Sequence, residues 1–118
     1  MRILITGGSG FIGSNLAIFL KEKIKNVKIQ SFDNLSRKGS SLNYKRLSQL
    51  KIKNFKKDIG NSKNLKKLKK FDLVIHCAAE PAIEASRKKV EEVFNSNLTG
   101  TFNILKKCEL KFNEFKLI

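Results

Sequence analysis

The sequence predicts a doubly wound α/β domain, in which parallel strands form one sheet and helices cover both of its faces. Two observations carry this prediction. Short apolar segments alternate with segments of helical spacing along the 118 residues, and such alternation is typical of parallel strands joined by crossover helices. In addition, a glycine-rich segment joins the first apolar run to the first helical segment, as expected where a strand turns directly into a helix.

The first strand is predicted over Arg2–Thr6, because its three central residues form an apolar run that suits a strand buried on both faces. Residues 11–25 have helical spacing, and lysines occupy their last turn, where cations favour a helix end. The second strand is predicted over residues 27–32. A short helix over residues 42–50 follows a polar loop, and the third strand is predicted over residues 52–57.

The second half continues the alternation. A third helix is predicted over residues 60–68 and a fourth strand over residues 72–79. Residues 87–110 have the spacing of a long helix, with a break near residues 95–97 and with Phe94, Phe102 and Leu105 in the core. Residues 115–118 open a fifth strand, so we expect the order 3-2-1-4-5. Because the chain stops there, we expect residues 1–118 to be an incomplete N-terminal domain, truncated near its fifth strand.

The segment Thr6–Gly13 carries the clearest chemical signal. It contains G-x-G-x-x-G between a predicted strand and a predicted helix, and Asp33 follows Gly13 by 20 residues. This combination is the fingerprint of a dinucleotide-binding loop. The first glycines permit a tight turn, Gly10 leaves room for the backbone to approach a pyrophosphate, and Gly13 allows close packing of helix on strand. The free N–H groups of the helix N-terminus attract phosphate.

Two alternatives bear on the ligand. A nucleoside-triphosphate loop requires Lys after its last glycine, but Ser14 stands there, which excludes that site. Asp33 ends the second predicted strand, where a carboxylate accepts hydrogen bonds from ribose hydroxyls and repels a 2′-phosphate, which favours NAD. Arg37 and Lys38 follow closely and would favour NADP, so this second possibility stays open.

Taken together, these motifs resemble the extended short-chain dehydrogenase/reductase family, the NAD-dependent epimerases and dehydratases. The matching segments occur in the family's order, at residues 6–13, 32–36, 58–59, 76–79 and 97–105. The resemblance implies a Rossmann domain with bound NAD, in which the pair 58–59 lies beside the adenine. It implies these cofactor-binding residues: Gly7, Gly10, Phe11, Ile12, Gly13, Asp33, Asn34, Ser36, Arg37, Asp58, Ile59, Ala78, Ala79 and Asn97. Asn97 could instead hold the kinked helix.

Within that family, residues 33–43 resemble the CDP-paratose/CDP-tyvelose 2-epimerase branch. The resemblance implies a cytoplasmic enzyme that transiently oxidises a hydroxyl of a nucleotide sugar with bound NAD, and family members form homodimers. UDP-glucose 4-epimerases and dTDP-glucose 4,6-dehydratases are near relatives and remain alternatives. A third alternative is a non-catalytic module that senses a dinucleotide.

The sequence departs from the family in two ways. Glu80 stands where the family usually has Gln after its H-x-A-A motif, which is residues 76–79 here. The family's chemistry also needs a Ser or Thr after the fifth strand and a Tyr-x-x-x-Lys pair, whose Tyr is the general base. Here the only tyrosine is Tyr44, and Ser48 stands four residues later. We therefore expect no catalytic residue in this chain and no activity from the chain alone.

Composition excludes several other classes. The net charge is +15, and residues 51–70 contain nine lysines, but that stretch lacks arginine and interleaved aromatics, so we expect a solvated face rather than a nucleic-acid site. No apolar run is long enough to span a membrane. Two cysteines make no disulfide framework, which favours a reducing cytoplasm. His76 is the only histidine, so we expect a strand-end or core position for it and no metal site.

Overall fold

The computed structural model describes residues 1–66, 68, 71–80 and 89–109. Four strands lie within these residues: β1 Arg2–Thr6, β2 Lys28–Asp33, β3 Lys53–Lys56 and β4 Leu73–His76. The helices are α1 Phe11–Lys23, α2 Ser40–Gln49, α3 Ser62–Leu65, α4 Val90–Phe94 and α5 Thr101–Glu109, and a π-helical segment, Asn95–Gly100, joins the last two.

The four strands form one parallel sheet in the order β3-β2-β1-β4. Strand β1 pairs with β2 from Arg2 opposite Lys28 and with β4 from Ile3 opposite Leu73. The predicted fold class and the order of the first four strands are therefore confirmed. The predicted fifth strand, residues 115–118, lies outside the described residues.

Two apolar cores cover opposite faces of the sheet. Successive side chains of a strand point to opposite faces, so Ile3 and Ile5 of β1 face one core while Leu4 faces the other. The first core also contains Ala17 of α1 and Leu47 of α2. The second core is completed by residues of β2, the segment after β3, and α5: Phe32, Ile59, Leu65, Leu68, Phe71, Ile104 and Cys108. Burial on both faces explains the continuous apolar run of β1.

The fully buried positions of helix α1 are small residues, and its Ile18 and Leu20 are partly buried against the same core. Its buried residues are Gly13, Ser14 and Ala17, whereas Phe11 and Phe19 are exposed by 83% and 54%. The helix ends at Lys23, two residues before the predicted end, because Ile24 adopts an extended conformation and Asn26 a positive φ. Apolar spacing located this helix correctly but did not identify its packing face.

The long helical stretch after β4 is interrupted where a break was predicted, but the chain widens into a π-helix instead of stopping. The prediction that Phe94 and Phe102 lie in the core is wrong, since they are 58% and 61% exposed. The buried face of this stretch is formed by Gly100, Ile104 and Cys108, which recur every four residues. In an α-helix, side chains two residues apart are separated by about 200° of rotation around the helix axis, so Phe102 lies on the side opposite Ile104.

The remaining differences are at element ends. Helix α2 begins at Ser40 rather than residue 42, and α3 is one short turn rather than residues 60–68. Strand β4 ends at His76, three residues earlier than predicted. Within the part of the chain that the structure describes, no helix is long and apolar enough to cross a membrane.

Candidate functional site

The glycine loop folds back on itself between β1 and α1. Gly7 has a φ of +63°, and a Cβ there would lie 2.7 Å from the backbone of Cys77 and Ala78, so only glycine fits. Its N–H donates to the carbonyl of Phe32 over 2.8 Å, and Gly10 N–H donates to the carbonyl of Gly7 over 3.0 Å. A Cβ on Gly13 would collide with the carbonyl of Gly7. The loop is therefore held close to β2 and to the end of β4, as its glycines predicted.

Asp33 joins this loop to the end of β2. Its Oδ2 accepts a hydrogen bond from the N–H of Ser9 over 3.0 Å, and its Oδ1 accepts one from the N–H of Leu35 over 2.7 Å. Leu35 has a φ of +59°, an uncommon conformation for a residue with a branched side chain. The carboxylate thus stabilises a turn that sequence patterns did not indicate.

A cavity of about 480 Å³ opens beside the glycine loop, at the carboxyl ends of the strands. Its wall is formed by residues from the ends of all four strands and from the π-helical stretch: Gly7, Gly10, Phe32, Asp33, Asn34, Ser36, Arg37, Ser40, Lys57, Asp58, Ile59, Cys77, Ala78, Ala79, Glu80, Lys89, Glu92, Asn95 and Ser96. Parallel sheets bind ligands at this edge, where the strand order reverses.

Most of the predicted site residues meet in this cavity. The wall includes these ten of them: Gly7, Gly10, Asp33, Asn34, Ser36, Arg37, Asp58, Ile59, Ala78 and Ala79. Phe11, Ile12, Gly13 and Asn97 are not part of the wall. Phe11 and Ile12 form the exposed first turn of α1, and Gly13 is buried where that helix contacts Gly7. That each of these predicted residues contacts a cofactor remains a prediction.

Asn97 holds the segment after β4 in place. Its Oδ1 accepts a hydrogen bond from the N–H of Glu80 over 2.7 Å, and its Nδ2 donates to the carbonyl of Glu80 over 3.1 Å. Both ends of the amide are engaged with one backbone residue. These bonds give Asn97 a role in positioning the segment after β4, and both its cofactor contact and its expected role in holding the kinked helix remain predictions.

His76, at the end of β4, links the sheet to the π-helical segment. Its Nδ1 lies 2.6 Å from Oγ1 of Thr6, and its Nε2 lies 3.0 Å from Oγ1 of Thr101. Thr101 donates its hydroxyl proton to the carbonyl of Asn97, so its oxygen must accept a proton from Nε2. Thr6 Oγ1 also accepts a hydrogen bond from the N–H of Ala78. Burial lowers the pKa of His76, which favours the neutral imidazole, and with Nε2 as its donor nitrogen Nδ1 then accepts from the hydroxyl of Thr6.

Several wall residues were not identified from the sequence. Asn95 and Ser96 reach the cavity from the π-helical segment, and such segments often occur at functional sites. Asn95 packs where a Cβ on Gly60 would collide with it. Lys57 follows β3 directly. Nothing in the apolar spacing signals a π-helix, although a break was predicted near residues 95–97 and the family resemblance of residues 97–105 overlaps this segment.

The cavity fits part of a dinucleotide. Its volume lies within the roughly 300–1,000 Å³ range of ligand pockets. On one side the wall consists of two glycines with no side chain to fill the space, Gly7 and Gly10, next to the helix N-terminus. Because the N-cap of α1 is Gly10, no side chain caps the N–H groups of its first turn. Free N–H donors suit a pyrophosphate, and the Asp33 carboxylate at the end of β2 suits a ribose.

Comparison with known proteins agrees with this geometry. Residues 3–117 match the model of the NAD dependent epimerase/dehydratase family. The chain is 39% identical over 112 residues to a dTDP-D-glucose 4,6-dehydratase of Dictyostelium discoideum, with 92% of the chain and 26% of that protein covered. It is also 39% identical over 109 residues to CDP-paratose 2-epimerase of Salmonella typhi, with 89% of the chain and 32% of that protein covered.

Among solved structures, UDP-glucose 4-epimerase of Bifidobacterium longum in complex with NAD+ and UDP superimposes with a TM-score of 0.80 at 28% identity. The match covers 93% of this chain and 34% of that one. The chain thus spans about a third of the length of the relatives it matches. Since the family match runs over nearly all of its residues, the chain belongs to the NAD-dependent epimerase/dehydratase family.

Proposed function

We propose that residues 1–118 form the NAD-binding part of a nucleotide-sugar epimerase or dehydratase. One observation carries the proposal: the glycine loop and Asp33 are joined by the hydrogen bond from Ser9 N–H, so the phosphate-binding and ribose-binding groups have a fixed separation. In this arrangement the N–H groups of α1 bind the pyrophosphate and Asp33 binds the adenosine ribose. The pair Asp58 and Ile59, in the cavity wall, lies beside the adenine.

Bound NAD supplies the oxidising equivalent for a sugar hydroxyl in such enzymes. This chain's own contribution is to bind and orient that cofactor. Tyr44 is not assigned to proton removal from the sugar, because it lies in α2 and Ser48 follows it four residues later instead of the family's lysine. We therefore assign no catalytic residue to the chain, and we expect residues 1–118 alone to have no epimerase or dehydratase turnover.

The binding proposal is tested with Gly10→Val. A Cβ on Gly10 meets only the carbonyl of Gly7, at 3.1 Å, so the fold should survive a small adjustment. The rest of the valine side chain would occupy the cavity wall where the pyrophosphate is expected. Titration with NADH, followed by cofactor fluorescence, should show binding to the wild type and none to the variant. Equal affinities, with unchanged circular dichroism, would remove the glycine loop from the site.

Asp33→Ser tests the ribose contact. Loss of the carboxylate should weaken NADH binding by about tenfold and should weaken NADPH binding less, because the repulsion of a 2′-phosphate is also lost. Since Asp33 also accepts two backbone hydrogen bonds, the loop itself will loosen, and the ratio of the two affinities is the informative quantity. Glu22→Gln, an exposed charge removal on α1, is the control. An unchanged ratio would place the discriminating residue elsewhere.

As the specific reaction we propose 2-epimerisation of a CDP-hexose. The support is the resemblance of residues 33–43 to that branch and the 39% identity to CDP-paratose 2-epimerase. The equal identity to a dTDP-D-glucose 4,6-dehydratase favours dehydration as the second candidate. Incubation of the complete protein with CDP-paratose, dTDP-glucose and UDP-glucose in turn, with products identified by NMR, separates the reactions. Turnover of dTDP-glucose alone would replace the first candidate by the second.

Two further expectations belong to this proposal. Cys77 and Cys108 form no disulfide with each other, and we propose a reducing cytoplasm as the compartment of the protein. The complete protein is expected to form a homodimer. In support, Phe94, Leu98 and Phe102 recur at four-residue intervals, and each is more than half exposed. Light scattering on the complete protein measures its mass in solution, and a monomer would contradict this expectation.

A further inference from the structure

The cavity wall contains an ion pair that joins its two sides. Nη1 of Arg37, in the loop after β2, lies 3.4 Å from Oε1 of Glu80, in the segment after β4. Both residues line the cavity. The Arg37 side chain is about half exposed, and that of Glu80 is 24% exposed.

The backbone of Glu80 is fixed independently of this ion pair. The two hydrogen bonds with Asn97 hold its N–H and its carbonyl, and Asn97 lies in the π-helical segment. The side chain of Glu80 therefore begins at a defined point on the β4 side of the cavity, and the position of its backbone does not depend on Arg37.

Arg37 is the cation best placed to bind a 2′-phosphate. It follows Asp33, the ribose-binding residue of the proposed function, by four positions in the same loop, and its side chain reaches the cavity wall. An arginine at this point is the usual partner of the NADP 2′-phosphate. Lys38, the other basic residue of this loop, is not part of the wall. Lys57 and Lys89 do line the wall, but they follow β3 and precede α4 and so lie outside the loop that follows Asp33.

We propose that Glu80 is a specificity-determining residue, which pairs with Arg37 and so keeps this arginine from binding the 2′-phosphate of NADP. The inference rests on the proposed NAD site. A bound NADP would have to break the Arg37–Glu80 pair and would leave the Glu80 carboxylate close to its phosphate. NAD carries a hydroxyl in place of this phosphate, so the pair persists when NAD binds. The protein thus discriminates against NADP through two carboxylates: that of Asp33, and that of Glu80, which opposes binding of the 2′-phosphate.

The test is Glu80→Gln, which keeps the shape of the side chain and removes its charge. Affinities for NADH and NADPH are measured by fluorescence titration of the purified protein, at low salt and at equal pH. We expect Glu80→Gln to bind NADPH about fivefold more tightly than the wild type does, because Arg37 gains a charge-assisted contact with the phosphate. The affinity of the variant for NADH should differ from that of the wild type by less than about twofold.

Two further variants identify the cause. In the double variant Arg37→Gln, Glu80→Gln the gain in NADPH affinity should disappear, because the arginine that makes the contact is absent. Glu92→Gln removes the same charge from the same wall but is paired with Lys89, and it should leave the NADPH-to-NADH ratio nearly unchanged. If the double variant retains the gain, or if Glu92→Gln reproduces it, general charge removal explains the effect and the pairing is wrong.

The outcomes separate this inference from the proposed function. If the wild type binds neither NADH nor NADPH, the proposed function fails. If NADH binds and the ratio is the same in Glu80→Gln as in the wild type, the proposed function stands and the role of Glu80 is refuted.

Discussion

At the scale of single residues, two glycines with positive φ distinguish two effects of a substitution on the free energy of unfolding. One is the conformational strain of a side chain in the left-handed region, and the other is steric overlap of the added Cβ with its neighbours. Gly7 has a φ of +63° and close backbone neighbours, whereas Gly39 has a φ of +88° and no atom within 4 Å of an added Cβ. Gly39→Ala should therefore lower the free energy of unfolding by about 1–2 kcal/mol, the conformational cost alone. Gly7→Ala should lower it by at least about 3 kcal/mol, because overpacking is added.

Urea unfolding measures both variants under the same conditions. Equal losses would mean that the neighbours of Gly7 move aside freely, so that the loop is not held by Cys77 and Ala78 as described.

The single histidine predicts a pH dependence of stability. Burial lowers the pKa of His76 in the folded protein below its unfolded value, near 6.5. Below that pH the unfolded chain takes up a proton that the folded protein resists, so stability should fall as pH decreases from about 7 toward the folded pKa. Because His76 is partly exposed, solvent reduces the size of the effect. Thermal unfolding at pH 7 and pH 5 should show it.

His76→Asn and His76→Gln serve as comparisons, since neither amide titrates. Asparagine can accept from Thr6 and glutamine can donate toward Thr101, so at least one of them should fold. Either variant should lose less stability than the wild type between the two pH values. A wild-type loss equal to that of both variants would assign the pH dependence to other groups.

Single residues also show which features of the structure could be predicted from the sequence and which could not. The roles of Gly7, Gly13 and Asp33 follow from φ preferences and fixed spacing, so they could be predicted. The positive φ of Leu35 could not, because a branched apolar side chain disfavours it and only the carboxylate of Asp33 accounts for it. Glu80 and its partner, Arg37, are 43 residues apart in the sequence, so their pairing becomes evident only in the three-dimensional structure.

At the scale of elements, Asn103 connects α5 to the turn after β3. Its Nδ2 donates to the carbonyls of Ile59 and Gly60 over 2.8 and 3.2 Å. Asn103→Ala would leave both partly buried carbonyls without this donor, which should lower the free energy of unfolding by about 1–3 kcal/mol. Asn15→Ala removes an exposed hydrogen bond within α1 and should change it by less than about 0.5 kcal/mol.

Denaturant unfolding of the two variants checks the prediction. If Asn103→Ala is as stable as Asn15→Ala, α5 does not depend on this connection.

Elements with strong local signals were predicted well. Strand β1 has an uninterrupted apolar run between polar ends, and its bounds were exact. Helices α1 and α2 were located but with ends shifted by about two residues, because their limits depend on single conformations such as the left-handed Gly39. The buried side of the π-helical stretch was assigned wrongly. Aromatic residues suggested a core there, whereas close packing of Gly100 against Ile59 decides which side faces the sheet.

At the scale of the whole molecule, the charge of +15 should make stability depend on salt. Raising sodium chloride from about 10 mM to about 150 mM shortens the Debye length from roughly 30 Å to roughly 8 Å. The repulsion among the like charges of the folded protein then weakens. This repulsion contributes more than the attraction within the few exposed ion pairs of the described residues, which include the pair of Arg2 and Asp72. The melting temperature should therefore rise. A melting temperature that falls with added salt would show that specific ion pairs dominate.

The position of β1 between its two neighbours has a consequence for folding. Thr6 meets its partner His76 across 70 residues, although β1 is the first of the described strands to leave the ribosome. One edge of β1 stays unpaired until β4 has been synthesised, and the face that carries Leu4 is not fully covered until α5 has followed. The sheet therefore has a high contact order and should form late and slowly. Gly7 reaches its tight fit only against Cys77 and Ala78. The glycine loop, which is made first, should therefore be among the last parts of the molecule to become ordered.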